Sequence, residues 1–122
     1  MLKINLCIKR KPDMTREEFH SYWKGPHKET VKQVAGPLGM RRNVHNRIFS
    51  TEIDDRIRQG RGALPDDYDG VAESWFDSLE ALSSASSTEE GRKAAQLLAE
   101  DEERFIDFSQ SKIFFVEEEV VI

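Results

Sequence analysis

The sequence predicts an α+β fold in which a four-stranded antiparallel sheet carries two main helices on one face. Short segments alternate apolar and polar residues at the period of a strand, and two longer segments place an apolar stripe behind capping residues. Their order is β-α-β-β-α-β, which is the order of the ferredoxin-like sandwich. A chain of 122 residues has the length of one domain, so we assign residues 1–122 to a single domain.

The first strand and the first helix have the clearest patterns. The strand is marked by alternation of apolar residues, namely Leu2, Ile4, Leu6 and Ile8. Thr15 and Glu18 have the spacing of a capping box, so a helix should begin near residue 16. Its apolar stripe consists of Phe19, Tyr22, Trp23, His27 and Val31.

Pro26 predicts an interruption of this stripe. Because proline lacks an amide proton, we expect the first helix to stop near Lys24 and a second helix to begin at Pro26. His27 would then lie in the first turn of the second helix. The positive end of the helix dipole should favour its neutral imidazole there, which is the form that exchanges protons near pH 7. On spacing alone, a histidine that holds two helices in register explains the pattern better than a catalytic group.

The middle of the chain predicts two further strands and a long connection. Residues 40–49 are extended, and residues 68–76 form the third strand, with Glu73 and Trp75 on one face and Ala72 and Phe76 on the other. Residues 50–67 contain a short helix capped by Thr51. We interpret this connection as a lid or a dimer contact, with a mobile insertion as the alternative.

The last third of the chain predicts a second long helix and a fourth strand. Ser78 caps a short helix, a serine-rich loop spans residues 83–87, and Ser87 with Glu90 repeats the capping-box pattern. Residues 112–122 form the last strand, which is apolar on both faces. The sheet face without helices therefore needs a cover, and we expect a second copy of the chain to supply it in a homodimer.

Composition excludes several classes of protein. Eighteen basic and 23 acidic residues are mixed along the chain, so we expect no nucleic-acid and no membrane partner. The single cysteine, Cys7, excludes an internal disulfide and a multi-thiolate metal centre, and it favours a cytoplasmic location. The three histidines lack a ligand spacing, so no metal is predicted; His20 is expected to be exposed.

Two segments resemble the EthD-like family of the dimeric α+β barrel group. They are Lys11–His27, with its Phe-x-x-Tyr-Trp-x-x-x-His spacing, and Tyr68–Phe76, with its Asp-Gly-x-x-Glu-x-Trp-Phe pattern. The resemblance implies a barrel formed by two protomers, and enzymes that use no metal or organic cofactor. Relatives include fungal dehydratases of aromatic polyketide pathways and a lactone methylisomerase, in which a histidine matching His27 is implicated in proton transfer. The resemblance therefore changes our interpretation of His27 from structural to functional.

The second strand departs from the family pattern, so the resemblance does not transfer a substrate. Many relatives carry an aromatic, an amide and a histidine at alternate positions, where this chain has Asn43, His45 and Arg47. If alternation turns these side chains inward, they converge with His27 in an aromatic pocket for a small-molecule ligand. The residues expected to bind it are Tyr22, Trp23, Asn43, His45, Arg47, Asp69 and Trp75.

The leading hypothesis is a cofactor-independent lyase or isomerase. In it His27 abstracts a proton next to a carbonyl, and Glu73 or Asp69 orients it or returns the proton. The alternatives for the two carboxylates are structural: Asp69 shapes the turn before Gly70, and Glu73 pairs with Arg47 or Arg42. The alternative functions are a non-catalytic protein that binds a small molecule and, by fold analogy alone, a cofactor-independent monooxygenase.

Overall fold

A computed structural model describes residues 1–65 and 67–122 and confirms the α+β architecture. Within them the sheet has four strands in the order β2-β3-β1-β4, and each neighbouring pair is antiparallel. The strands are β1 (Leu2–Ile8), β2 (Met40–Arg47), β3 (Gly70–Phe76) and β4 (Lys112–Val116). This is the sheet of the predicted ferredoxin-like sandwich. The fourth strand ends at Val116, six residues before the predicted boundary, because the remaining residues are not paired with β1.

Five α-helices connect the strands in the described part of the chain. They are α1 (Arg16–Tyr22), α2 (Lys28–Leu38), α3 (Glu52–Arg61), α4 (Leu79–Ser84) and α5 (Glu89–Glu102). The capping boxes of α1 and α3 form as predicted, at Thr15 and Thr51. The cap of α5 is Thr88 and not Ser87, because the Thr88 hydroxyl accepts the amide of Gly91. Residues 83–87 are not a loop, since α4 continues into a 3₁₀ turn.

The expected interruption at Pro26 does not occur. Trp23–His27 form a π-helical turn that joins α1 to α2 without leaving helical geometry. A π turn accommodates one extra residue within a helix, and proline's missing amide is tolerated where the regular hydrogen-bond ladder is already altered. His27 therefore does not lie at a free helix N-terminus, and the predicted dipole effect on its pKa has no structural basis.

The helices and the sheet enclose an aromatic core. Phe19 of α1 and Phe105 after α5 are completely buried, and they pack with Trp23 and with Ile8 of β1. On β4, by contrast, Ile113, Phe114 and Phe115 are 59%, 43% and 53% exposed, so apolar surface remains uncovered at this strand. No helix among the described residues is long and apolar enough to cross a membrane.

Candidate active site

A cavity of about 270 Å³ lies between the sheet and the helices. Most of its lining is apolar and comes from all four strands and from α2 and α5. The polar side chains in the lining are His27, Asn43, His45, Ser74 and Glu102. A concave apolar space with a few convergent polar groups is the usual form of a small-molecule site.

Asp101 organises the polar end of this cavity. Asp101 is 3% exposed, and its Oδ2 lies 2.6 Å from Nδ1 of His27. Oδ1 accepts the hydroxyl of Tyr22 at 2.5 Å and the guanidinium of Arg104 at 3.4 Å. A buried carboxylate is tolerated when several donors satisfy it, so this network fixes the orientation of the His27 ring.

The two cavity imidazoles are neutral near pH 7. Burial lowers the pKa of His27, and the hydrogen bond and charge of Asp101 offset this effect in part. A neutral ring that donates Nδ1–H to Asp101 carries its free lone pair on Nε2, which is the arrangement of a general base. His45 stacks on Trp23 at 4.7 Å between ring centroids and lies 5.6 Å from His27. Burial, followed by the charge that His27 carries when it is protonated at acidic pH and by the charge of Lys28, lowers the pKa of His45 to about 4.

Glu102 adds a carboxyl group to the same cavity. Burial and the negative charge of neighbouring Asp101 raise its pKa to about 7, and no cation or hydrogen-bond donor among the described residues counteracts them. Glu102 is also the last residue of α5, where the negative end of the helix dipole disfavours a carboxylate. Near neutral pH a substantial fraction of this group is therefore the acid form, which donates a proton.

The structure brings only part of the predicted site together. Trp23, Asn43 and His45 line the cavity with His27, and the alternation of β2 accounts for Asn43 and His45. Tyr22 is half-buried beside the cavity, and its hydroxyl donates to Asp101, the carboxylate that also binds His27. Arg47 is exposed at the end of β2 and does not line the cavity.

Glu73 and Trp75 lie on the opposite face of the sheet, and their expected convergence with His27 is wrong. Glu73 pairs with Lys3 at 2.7 Å, and not with the predicted Arg47 or Arg42, and it accepts the side-chain amide of Asn46 at 3.2 Å. The indole of Trp75 donates to Glu118 and lies under the charge of Lys3. The physical reason is the register, since β3 turns Ala72, Ser74 and Phe76 towards the helices, and residues 73 and 75 necessarily point away.

Asp69 and His20 are also placed differently from the prediction. Asp69 is completely buried outside the cavity, and its carboxylate binds the guanidinium groups of Arg10 and Arg16 at 2.6 and 3.1 Å. It joins the start of β3 to the start of α1, which is a structural role different from the predicted shaping of the turn before Gly70. His20 was expected to be exposed but is 7% exposed, because it packs against Phe19 and Trp23.

Sequence reasoning missed Asp101 and Glu102. A signal for Asp101 was present, because Ala94, Leu98 and Phe105 form a stripe at helical spacing and Asp101 falls on it. A carboxylate on the buried stripe needs a partner, which His27 supplies. Glu102 carried no such signal within a run of four acidic residues. Among residues 1–65 and 67–122 no three ligating side chains are grouped in a way that could hold a metal ion.

Comparisons with known proteins agree with this architecture. The model of the EthD domain matches residues 11–109. An EthD family protein from Bacillus halodurans is 17% identical, with 98% of this chain and 100% of that chain covered at a TM-score of 0.62. A protein from Arabidopsis thaliana is 18% identical (100% and 99% covered, TM-score 0.57), and a dimeric ferredoxin-like protein of unknown function from Bacteroides fragilis is 15% identical (95% and 94% covered, TM-score 0.56). No curated protein matches the sequence significantly.

Proposed function

The chain belongs to the EthD family, and we propose that it is a cofactor-independent enzyme that moves protons on a carbonyl-bearing small molecule. The reaction class is a dehydration, which makes it a lyase, or an isomerisation. One observation carries the proposal: His27 lines an apolar cavity while its Nδ1 is held by a buried carboxylate at 2.6 Å. A carboxylate behind an imidazole fixes the tautomer and stabilises the imidazolium that forms during proton transfer.

The proposed reaction begins when Nε2 of His27 takes a proton from the carbon next to the ligand's carbonyl. The electrons of the broken C–H bond form the C=C bond of an enolate. In a dehydration, the carbonyl forms again as the β-hydroxyl leaves, and the acid form of Glu102 protonates that hydroxyl so that water departs. In an isomerisation, the ligand carries a C=C bond conjugated with the enolate, and Glu102 returns a proton to the far carbon of that bond while the new C=C bond forms next to the restored carbonyl. In either case a proton passes from His27 back to Glu102 through solvent and restores both groups.

The lining of the cavity supports a flat and largely apolar ligand. Trp23 and His45 stack with an angle of 16° between their rings, which provides a planar surface beside His27. Asn43 and Ser74, which hydrogen-bond each other at 2.8 Å, give the sheet side of the cavity its polar groups. A cyclic compound with a carbonyl group and few charges in its ring system fits these surroundings.

We also propose that the chain forms a homodimer through the helix-free face of its sheet. Phe114 of β4 is 43% exposed and lies opposite Asn5, which points away from the helices because Ile4 and Leu6 line the cavity. Phe114 therefore leaves uncovered apolar surface on the helix-free face. The similar Bacteroides fragilis protein is described as dimeric. Sedimentation of the purified chain tests this, and a monomer at micromolar concentration contradicts it.

Deuterium exchange tests the proton-transfer step directly, whichever reaction follows that step. Hydroxylated tetralones and unsaturated lactones are incubated in D₂O with the protein, and ¹H NMR follows the loss of the signal next to the carbonyl. We expect wild type to accelerate exchange on at least one compound and His27→Gln to slow it about a hundredfold, the usual effect of removing a general base. His20→Gln is the matched control, because it changes a buried histidine that does not line the cavity.

Each outcome separates the candidate functions. Exchange that persists unchanged in His27→Gln, with His20→Gln also unchanged, refutes the proposed base. Compounds that bind but never exchange favour the non-catalytic binding protein. Ligand-dependent oxygen consumption favours the monooxygenase.

A further inference from the structure

A second concave surface adjoins the cavity and has a different character. It is a groove of about 430 Å³ between α2 and β2, and it shares Val31, Met40, Asn43 and His45 with the lining of the cavity. Its lining includes five cationic side chains and no acidic one: Lys24, Lys28, Lys32, Arg41 and Arg42. The whole chain has a net charge of −5, so the positive charge of this groove is opposite in sign to that of the protein as a whole.

Three of these cations form a row along one side of a helix. Lys24, Lys28 and Lys32 follow one another at intervals of four residues, so they lie one above the other beside the groove. Like charges at this spacing repel and destabilise a helix by a few tenths of a kcal/mol per pair. Lys32 has an exposed partner in Glu29 at 3.6 Å, whereas no ion pair of Lys24 or Lys28 occurs among the described residues.

The two arginines of the groove are already engaged. Arg41 binds Asp77 at 2.8 Å, and the guanidinium of Arg42 lies over the ring of Trp75 at 4.8 Å, on the far face of the sheet. The available charge therefore belongs to Lys24 and Lys28. His45 lines both the groove that holds Lys28 and the cavity, so the two spaces are continuous at this residue, and the charge of Lys28 contributes to the lowered pKa of His45.

We propose that Lys24 and Lys28 bind an anionic substituent, a carboxylate or a phosphate, of the ligand whose ring occupies the cavity. The proposal rests on the proposed function in that both concern one ligand. The apolar cavity takes the uncharged ring system, and the groove at its edge takes the charge, which remains partly solvated. A ligand with its ring in the cavity and its anionic group in the groove presents its carbonyl to His27. The ion pair between the anionic group and the lysines then fixes the orientation of the ring.

Binding of matched aromatic probes tests the proposal by isothermal titration calorimetry at pH 8. The probes are 6-hydroxy-2-naphthoate, its uncharged primary amide, 2-naphthyl phosphate and 2-naphthol, so that each anion has a neutral counterpart. The double variant Lys24→Gln/Lys28→Gln removes the available charge. Lys93→Gln/Lys112→Gln is the matched control, because it removes two exposed lysines that do not line the groove.

We expect wild type and the control to bind at least one anion about five- to tenfold more tightly than its neutral counterpart at low salt, the combined effect of two exposed charge contacts. The preference should fall below about twofold in the lysine double variant and in wild type at about 0.5 M NaCl. A preference for naphthoate alone identifies a carboxylate site, and a preference for naphthyl phosphate alone identifies a phosphate site. Amide shifts in ¹H–¹⁵N spectra of wild type should cluster at residues 24–32 with the anion and not with its neutral counterpart.

Equal binding of anions and neutral probes, an undiminished preference in the double variant, or no binding of any probe overturns the proposal. If the double variant does not fold, the salt dependence and the amide shifts of wild type decide. The readout is binding, so the proposal can fail while proton exchange by His27 stands. If wild type does not accelerate deuterium exchange but binds anions more tightly than neutral probes, the proposed function alone is refuted.

Discussion

Replacing Glu102 with glutamine should stabilise the protein at alkaline pH. The folded-state pKa of Glu102 is about 7 against an ordinary value of 4.5. The folded state therefore holds this proton in a range where the unfolded chain has lost it, and stability falls as pH rises from 4.5 to 7. Each pKa unit corresponds to about 1.4 kcal/mol, so the free energy of unfolding of wild type should be about 3 kcal/mol lower above pH 7 than it is below pH 4.5. Glu102→Gln has no charge to bury, so it should be about 2 to 3 kcal/mol more stable than wild type at pH 8.

Urea unfolding followed by circular dichroism at pH 4 and pH 8 measures this effect. Wild type and Glu102→Gln should differ little at pH 4, because the wild-type carboxyl is largely protonated in both the folded and the unfolded chain. The control is Glu103→Gln, which changes the adjacent exposed glutamate and should have a similar small effect at both pH values. A Glu102→Gln variant that is no more stable than wild type at pH 8 refutes the conclusion that this carboxyl is held unpaired in the cavity. Glutamine at position 102 cannot donate a proton to the ligand, so the turnover of Glu102→Gln should fall while His27 still catalyses deuterium exchange.

Three further substitutions test the surroundings of His27. Asp101→Asn should slow exchange about a hundredfold or more by favouring the wrong tautomer of His27, and it should cost about 2 to 4 kcal/mol by disturbing a buried network; a normal exchange rate contradicts the dyad. Gly70→Ala should destabilise the fold by about 1 to 3 kcal/mol, because its new Cβ would lie 2.4 Å from the Trp23 ring, and an unchanged melting temperature contradicts this. The free energy of unfolding of wild type should rise between pH 4 and 6.5, because the folded-state pKa of His45 is about 4 and the unfolded chain binds this proton more tightly. The rise should be smaller in His45→Gln. Urea unfolding across that pH range measures the difference, and an equal rise in both proteins argues against the burial effect.

Local sequence signals were sufficient for the architecture of the protein. Alternation located β1 and the faces of β3, and the capping boxes at Thr15 and Thr51 located two helix starts. Such signals depend on interactions between near neighbours in the chain, and they survive in the tertiary structure. The errors lie where two local signals compete, as at Ser87 and Thr88, which both offer a capping hydroxyl.

The site was harder to predict because its key contacts join distant segments. His27 and Asp101 are 74 residues apart in sequence, and nothing local to either one reports the other. The prediction for Glu73 fails because alternation assigns residues to two faces of a strand but does not say which face meets the helices. That choice is made by the register of β3 against β1, where Glu73 lies opposite Asn5 and Ala72 lies opposite Leu6. A one-residue difference in phase therefore moves a carboxylate from the cavity to the opposite face.

The π-helical turn explains how one carboxylate engages two residues of the same helix. Tyr22 and His27 are five positions apart, and in a regular α-helix their side chains would point about 140° away from each other. In a π turn the hydrogen bonds join residues five apart, so these positions lie on one side of the helix. Both side chains consequently reach Asp101, the hydroxyl at Oδ1 and the imidazole at Oδ2. The proline that predicted a break thus lies within the backbone irregularity on which the geometry of the His27–Asp101 pair depends.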